Sequence, residues 1–169
     1  MELLIAPNEW LNKQVKPFDF DNLNAKDIAQ EMVNIMGNNR GIGLSANQVG
    51  LDAQIFVMQP HQMKDLKNPF AIINPIIQKV SKETYTDYEG CLSHPGLFFK
   101  VERPVKLVAQ FLDADKKECI MEFEGLDSRC FLHEYDHLQG IEYTDRVSKL
   151  KLEMARKKQS KLLKRIKNG

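Results

Sequence analysis

Residues 126–140 read LDSRCFLHEYDHLQG, and this stretch predicts a helix that ends at Gly140 and carries the motif HEYDH in its last turns. Two imidazoles four residues apart project from one face of a helix, so His133 and His137 can bind a single divalent cation. Glu134 lies beside the first of them and can act as a general base. The stretch therefore predicts a hydrolytic metal site built on a helix, with a third metal ligand still to be found.

Two segments before this helix carry the next signals along the chain. Residues 24–37, NAKDIAQEMVNIMG, have apolar side chains at helical spacing and predict an amphipathic N-terminal helix that begins after Asn24 and ends at Gly37. Residues 38–50, NNRGIGLSANQVG, are rich in glycine, asparagine and small side chains. This composition predicts a loop whose backbone another group approaches closely.

Four segments in the middle of the chain predict strands. The apolar runs at residues 55–58 and 71–77 have the length of strands. Because Pro75 cannot donate a ladder hydrogen bond, we expect the second run to lie at a sheet edge or to end early. Apolar and polar side chains alternate at residues 105–111 and again at 118–124, which predicts a hairpin with one buried face.

The order of these elements favours an α+β fold with largely antiparallel or mixed β-sheets, because helices and strands do not alternate regularly. We expect the sheets to pack around the central HExxH helix, with one N-terminal and one C-terminal helix. A chain of 169 residues with 43% hydrophobic residues fits one domain. We assign residues 1–147 to a catalytic domain, and residues 148–169 to a basic helix that belongs to this domain or extends it.

Composition and charge predict a soluble, cytoplasmic protein without DNA or membrane contacts. The first residues, MELLIAPNEWLNK, contain only a short apolar run before Pro7, which fits neither a signal peptide nor a membrane span. Three cysteines without regular spacing favour a reducing compartment. The net charge is +1, but nine basic residues and one acidic residue follow from Lys149 onward, so this end carries +8 and the rest of the chain −7.

The third ligand distinguishes the hydrolases that share HExxH. In one peptidase class the motif extends to HExxHxxGxxH, but this chain has Tyr143 in the place of the last histidine. In another class a glutamate on the next helix completes the site, and Glu153 could serve by its position. Cys91, in the segment YEGCLS, is the best candidate, because a thiolate and two imidazoles leave one tetrahedral position open for water. An HExxH-type zinc peptidase remains the alternative.

Three motifs, in this order along the chain, resemble the signatures of the peptide deformylase family. They are GIGLSANQ at residues 41–48, EGCLS at 89–93 and HEYDH at 133–137, where the patterns of the family are GxGLAAxQ, EGCLS and [QH]ExDH. The chain departs from the family at Ser45, which replaces the usual alanine, and at His94, which we expect near the mouth of the site. The resemblance covers nearly the whole predicted domain.

This resemblance implies a metal-dependent hydrolase that removes the formyl group from the N-terminal formylmethionine of nascent chains. It implies a set of three metal ligands: Cys91, His133 and His137. Glu134 would take a proton from water and pass it to the departing amine. The side-chain amide of Gln48 and the backbone amide of Leu92 would donate hydrogen bonds to the oxyanion that develops in the transition state.

The resemblance also implies the substrate contacts and the metal. Gly43 leaves room for the substrate backbone to pair as an added strand, while Ile42, Gly90 and Cys130 would line the site of the methionine side chain. The family commonly works with Fe2+, which we expect in the cell, and Zn2+, Ni2+ or Co2+ can substitute. A ferrous thiolate site would be sensitive to oxygen.

Two features of the sequence leave alternatives open. Asp136 and the pair Glu89 and Arg103 either orient the metal ligands or form separate structural ion pairs. The basic helix at residues 148–169 either is a solvated helix with one face docked on the domain, or also contacts the phosphates of ribosomal RNA where the nascent substrate emerges.

Overall fold

The structure is a computed structural model that describes residues 1–168, and Gly169, the last residue of the predicted basic helix, lies outside the described residues. The strands are β1 (Gly43–Ser45), β2 (Ile55–Met58), β3 (Phe70–Val80), β4 (Thr84–Cys91), β5 (His94–Pro104), β6 (Lys106–Leu112) and β7 (Glu118–Glu124). The helices are α1 (Ala25–Asn38), α2 (Gly125–Leu138) and α3 (Lys149–Asn168). One sheet has the strand order β1-β2-β3-β6-β7, and β4 pairs with β5 in a second sheet. All pairs are antiparallel, so the predicted α+β class is confirmed.

Helix α2 packs between the two sheets because one of its faces is apolar and the other carries ligands. Phe131 is fully buried, and its ring lies 5.2 Å from the ring of Phe56 on β2 and 4.8 Å from that of Phe123 on β7. Gly125, the first residue of the helix, and Gly140, which follows its C-cap, have φ of 56° and 75°, the left-handed conformation that glycine adopts without strain. The HEYDH motif therefore lies in the interior of the fold.

Helix α1 begins where the sequence predicts and ends later. The side chain of Asn24 accepts a hydrogen bond from the backbone amide of Asp27 at 3.2 Å, which caps the first turn. The prediction that Gly37 ends the helix is wrong, because α1 continues to Asn38 and Asn39 forms the C-cap. Arg40, at φ 57°, then reverses the chain. The predicted loop at residues 38–50 contains β1 and a short 3₁₀ helix, Ala46–Val49.

Strand β3 corrects a second prediction. Pro75 suggested an edge strand or an early end, but β3 runs on to Val80 and pairs with both β2 and β6. The register shifts between Ile73 and Ile76, and Asn74 has a φ of 49°. The Asn74 side chain bonds the backbone of Phe18. It accepts from the Phe18 amide at 2.7 Å and donates to the Phe18 carbonyl at 3.2 Å. This bulge removes the proline from the ladder without ending the strand.

The first residues of the sequence and α3 both pack against the rest of the fold. The backbone amides of Leu4 and Ala6 donate to the carbonyls of Gln48 at 2.8 Å and Ser93 at 2.9 Å; we call residues 1–7 the N-terminal strap. On α3, Leu152 and Ala155 pack against a small apolar cluster that contains Leu97, Phe99 and Tyr143. Within residues 1–168, no helix has the length and apolar character needed to cross a membrane.

Candidate metal centre and catalytic cleft

The three predicted metal ligands lie together. Cys91 is the last residue of β4, and His133 and His137 lie one turn apart on α2. One potential ligand atom of each residue lies within 4.8 Å of the others, and the sulfur of Cys91 lies 3.4 Å from Nε2 of His137. The ring centroids of the two histidines are 5.0 Å apart. These distances bring a thiol and two imidazoles around a common point.

The Glu89 carboxylate contacts His133 and can fix the orientation of its ring. Its carboxylate lies 3.0 Å from Nδ1 of His133, which leaves Nε2 free to bind a metal ion. Arg103 donates to both oxygens of Glu89 at 2.8 and 3.0 Å, and Arg129 donates to one of them at 2.8 Å. Burial alone would raise the pKa of Glu89, but the hydrogen bonds from Arg103 and His133 outweigh it and hold this pKa well below its usual value. Glu89 is therefore a buried carboxylate.

Asp136 belongs to the same network. Arg103 donates to Asp136 at 2.7 Å, and Arg146 donates to both of its oxygens at 2.8 Å. The guanidinium of Arg103 thus joins Glu89 to Asp136. The sequence left open whether these side chains orient the metal ligands or form separate ion pairs. Because one network joins Asp136 and Arg103 to Glu89, which contacts His133, the geometry supports the first alternative.

The charges around the cluster fit a cation. Burial opposes a proton on His133, yet the Cys91 thiol and the Glu89 carboxylate raise the pKa of this imidazole well above its usual value. Burial and the neighbouring His133 lower the pKa of His137 well below its usual value, which keeps it neutral. Two imidazoles and a thiol beside a buried carboxylate are a donor set suited to a divalent transition metal, which would take the place of protons on these ligands.

Glu134 lies beside the cluster with almost no contact with solvent. It is 4% exposed, and burial raises the pKa of its carboxyl, although the charge of His133 and a hydrogen bond from Ser45 oppose this rise. Gly43 borders the carboxylate so closely that a Cβ at this position would lie 2.3 Å from Oε1 of Glu134. A buried carboxylate with a raised pKa holds a proton more readily than an exposed one, which suits a group that accepts and returns a proton.

Gln48 and Leu92 border the cluster beside Cys91. The Gln48 side-chain amide donates to the Cys91 sulfur at 3.3 Å and to the Ser93 hydroxyl at 3.1 Å. Its oxygen accepts from the backbone amide of Ser45 at 2.9 Å, which fixes which end of the amide points at the cluster. Leu92 follows Cys91 in the turn between β4 and β5.

A cleft of about 490 Å³ opens in front of these groups. All four predicted substrate contacts line it: Ile42, Gly43, Gly90 and Cys130. Gln48, Cys91, Leu92, His133 and Glu134 line it as well. The Cys130 thiol donates to the carbonyl of Ile42 at 3.4 Å, which closes this wall of the cleft.

The sequence missed several residues of the cleft, and it misplaced one. Phe98 and Arg40 line the cleft, and a Cβ on Gly90 would lie 2.5 Å from the Phe98 ring; the alternation along β5 could have indicated Phe98. His94 does not lie at the mouth of the site, because it is 5% exposed and bonds to Glu142. Its ring packs against Tyr143, at 5.6 Å between ring centroids.

The ligands required by the peptidase alternatives lie elsewhere. The Tyr143 hydroxyl donates to the carbonyl of Leu97 at 2.8 Å, so it is not directed at the cluster. Glu153 is exposed on α3. Among residues 1–168, the group of Cys91, His133 and His137 is the one set of three or more such side chains close enough to hold a metal ion.

Comparisons with known proteins agree with this geometry. The sequence pattern of the family described as Polypeptide deformylase matches residues 1–153. A protein of Agrobacterium fabrum named peptide deformylase is 37% identical over 159 residues, and the match covers 94% of each chain. The crystal structure of peptide deformylase from Ehrlichia chaffeensis has a TM-score of 0.87 and 32% identity, covering 97% of each chain. A class I type b peptide deformylase of Acinetobacter baumannii, solved with Met-Ala-Ser bound, has a TM-score of 0.80 and 25% identity, covering 87% of this chain and 98% of that chain.

Proposed function

This chain belongs to the polypeptide deformylase family, and from this membership we propose that its cleft hydrolyses N-formylmethionyl peptides with the residues gathered around Cys91. Deformylases are enzymes that remove the formyl group from an N-terminal formylmethionine and release formate. The observation that carries the proposal is the position of three potential ligand atoms within 4.8 Å of one another, beside a buried Glu134. Cys91, His133 and His137 would hold the metal ion.

A divalent metal ion held there would activate water for attack on the formyl carbon and would act as a Lewis acid. Glu134 accepts the proton of this water and returns it to the amine that leaves with the methionine. Its buried position and raised pKa support this role, because a general base works best when its pKa lies near the working pH. Glu89, bonded to Nδ1 of His133, keeps the other nitrogen of this ring directed at the metal site.

Gln48 and Leu92 stabilise the negative charge that develops on the formyl oxygen. The Gln48 side-chain amide already points at the Cys91 sulfur at 3.3 Å, and the backbone amide of Leu92 follows Cys91 directly. Each such donor typically contributes about 3 kcal/mol to lowering a barrier of this kind. The position of the amide is preorganised, because Ser45 and Ser93 hold both ends of it.

The methionine side chain enters the cleft against Ile42, Gly90 and Cys130, and the peptide backbone runs beside Gly43 as an added strand. Strand β1 supports this docking, because it pairs with β2 on one side only and its other edge lies near the cleft. The Acinetobacter baumannii relative was solved with Met-Ala-Ser bound, the peptide that deformylation of formyl-Met-Ala-Ser would leave.

We propose Fe2+ as the metal in the cell, with Zn2+, Ni2+ or Co2+ able to replace it in the isolated protein. One thiolate and two imidazoles accept all four ions. We also propose a cytoplasmic location and action on chains still bound to the ribosome, with the exposed lysines of α3 meeting ribosomal RNA. The charge of +8 from Lys149 onward supports this contact.

The proposed chemistry can be tested by measuring formate released from formyl-Met-Ala-Ser by protein loaded with Fe2+ under anaerobic conditions. We expect Glu134→Gln to lower kcat by at least about 100-fold, because it removes the base, while its metal content stays at one ion per chain. Cys91→Ala should lose bound metal and activity together. A metal-loaded native protein that releases no formate would contradict the proposal.

Glu153→Gln is the matched control, since it neutralises a glutamate that the peptidase alternative would need as a ligand. We expect its formate release and metal content to equal those of the native protein. Mass spectrometry of the same reactions distinguishes the two chemistries, because a peptidase would break the bond between methionine and alanine, whereas a deformylase leaves Met-Ala-Ser intact.

A further inference from the structure

Ser45 is the residue at which the GIGLSANQ motif departs from the family pattern, and its side chain contacts Glu134. It ends β1 and is fully buried. Its hydroxyl lies 2.6 Å from Oε2 of Glu134 and 3.0 Å from the backbone carbonyl of the same residue. An alanine here would have no group that could make either contact.

The contact matters because little else holds the Glu134 carboxylate. Within residues 1–168, the Ser45 hydroxyl is the one group that donates a hydrogen bond to this carboxylate. On the Oε1 side the carboxylate faces Gly43, where a Cβ would approach to 2.3 Å. The side chain is therefore confined by contact on one side and held by one hydrogen bond on the other.

We propose that Ser45 is a positioning residue for Glu134, whose hydroxyl holds the carboxylate in the orientation required to take a proton from water. This proposal rests on the proposed function, in which Glu134 is the general base. A hydrogen bond to a carboxylate is among the stronger ones in proteins. Both partners are removed from water, which strengthens their interaction further.

The hydrogen bond from Ser45 can persist through each turnover. While Glu134 is a carboxylate, the Ser45 hydroxyl donates to Oε2 at 2.6 Å. When Glu134 takes the proton of water on its other oxygen, Oε1, Oε2 remains an acceptor and keeps this hydrogen bond. The orientation of Glu134 is therefore kept until the proton passes from Oε1 to the leaving amine.

Ser45→Ala removes this contact, together with the acceptor that the Ser45 side chain offers to the backbone amide of Gln48 in a capping box. The substitution keeps the backbone amide that donates to Gln48 at 2.9 Å, so the oxyanion donor stays in place. We expect kcat for formyl-Met-Ala-Ser to fall about 10-fold, the effect of losing one hydrogen bond to a charged group. KM should change less than about 2-fold, and bound metal should not change, because Ser45 contacts neither substrate nor ligand in this proposal. Unchanged kcat, or a rise in KM in place of the fall in kcat, would overturn it.

Ser128→Ala is the matched control. Ser128 is also fully buried, and its hydroxyl donates to the carbonyl of Pro104 at 3.0 Å, away from the catalytic carboxylate. Both substitutions remove one buried hydroxyl. We expect similar falls in the thermal unfolding midpoint of the two metal-free proteins but a fall in kcat for Ser45→Ala alone. Equal kcat in the two variants would reduce Ser45 to a packing role.

A double-mutant cycle with Glu134→Asp separates failure of this proposal from failure of the proposed function. Shortening the side chain withdraws the carboxylate from the Ser45 hydroxyl, so adding Ser45→Ala should lower kcat less than about 2-fold further. If Glu134→Asp leaves kcat at the native value, the role of Glu134 as the base is wrong. If Glu134→Asp lowers kcat but Ser45→Ala has the same 10-fold effect in both backgrounds, Ser45 does not act through Glu134.

Discussion

At the scale of single residues, the cleft depends on the absence of a Cβ at Gly43. This residue is the first of β1 and borders the Glu134 carboxylate, where a single added carbon would lie 2.3 Å from Oε1. The carboxylate cannot withdraw freely, since it is held by Ser45 at 2.6 Å on its other oxygen. Gly43 is therefore required for space and not for an unusual backbone angle.

We expect Gly43→Ala to lower kcat/KM by about 100-fold, because moving a catalytic group by about 1 Å has an effect of that size. Formate release by the metal-loaded variant is the measurement. Gly37→Ala is the control, since a Cβ at this position in α1 meets nothing within 4 Å. It should leave kcat/KM unchanged and raise the free energy of unfolding by about 0.5–1 kcal/mol, the usual gain for this change inside a helix. Native activity in Gly43→Ala would contradict the crowding around Glu134.

At this scale the sequence predicts the residues of the site better than their contacts. The spacing of His133 and His137 determines that they share a helix face, because helix geometry is local. The contact between Ser45 and Glu134 joins residues 89 positions apart and depends on how β1 packs against α2. No local pattern in GIGLSANQ predicts it. His94 was misplaced for the same reason, since its partner Glu142 is 48 positions away.

At the scale of elements, Arg103 connects β5 to α2. Its guanidinium is almost fully buried and bonds both Glu89 on β4 and Asp136 on α2. Arg146 contacts the same Asp136 from the 3₁₀ helix Tyr143–Arg146, but its side chain is 39% exposed. Asp136 therefore pairs with two arginines, Arg103 in the interior and Arg146 at the surface.

We expect Arg103→Gln to lower the free energy of unfolding by about 3 kcal/mol, because it removes a buried charged partner from both Glu89 and Asp136. Arg146→Gln removes a partner of the same Asp136 where water can replace it, so its effect should stay below about 1 kcal/mol. Urea unfolding of the two metal-free variants measures both values. Equal losses would show that burial does not govern the strength of these pairs.

Element boundaries were predictable where a local signal acts alone. The hairpin of β6 and β7 and the cap at Asn24 follow from alternation and from side-chain chemistry. The full length of β3 could not be predicted in this way. The effect of Pro75 depends on the bulge at Asn74, which a side-chain contact with Phe18 stabilises. A proline signals a break in the ladder, and only the neighbouring elements determine whether the strand continues beyond it.

At the scale of the whole molecule, the excess of basic charge lies on α3, whereas the proposed catalytic residues lie on other elements. The segment from Lys149 onward carries +8 and the remainder −7, while α3 packs on the fold through Leu152 and Ala155. The lysines at 157, 158 and 161 are exposed. Substitutions at these positions can therefore change the surface charge without disturbing the packed face of α3.

We expect the triple variant Lys157→Gln, Lys158→Gln, Lys161→Gln to bind ribosomes more weakly. The slope of log affinity against log salt should fall by as much as about 0.7–0.9 for each phosphate that the helix no longer neutralises. Sedimentation with ribosomes at several salt concentrations measures both quantities. Hydrolysis of formyl-Met-Ala-Ser should not change, because α3 contributes no residue to the metal cluster.

A second triple variant with the same change in net charge is the control. It replaces three exposed lysines elsewhere, Lys79, Lys82 and Lys117, with glutamine. We expect its ribosome affinity and salt slope to stay near those of the native protein. If both triple variants weaken binding equally, net charge and not α3 governs the association, and the proposed contact through this helix is wrong.

The N-terminal strap has a consequence for how the protein is made. Leu4 and Ala6 leave the ribosome before their backbone partners, Gln48 and Ser93, and His137 follows later still. The strap cannot form these hydrogen bonds until Gln48 and Ser93 have emerged. Each new copy of the enzyme can complete its cleft only after His137 has left the ribosome, so it cannot act on any substrate before that point of its own synthesis.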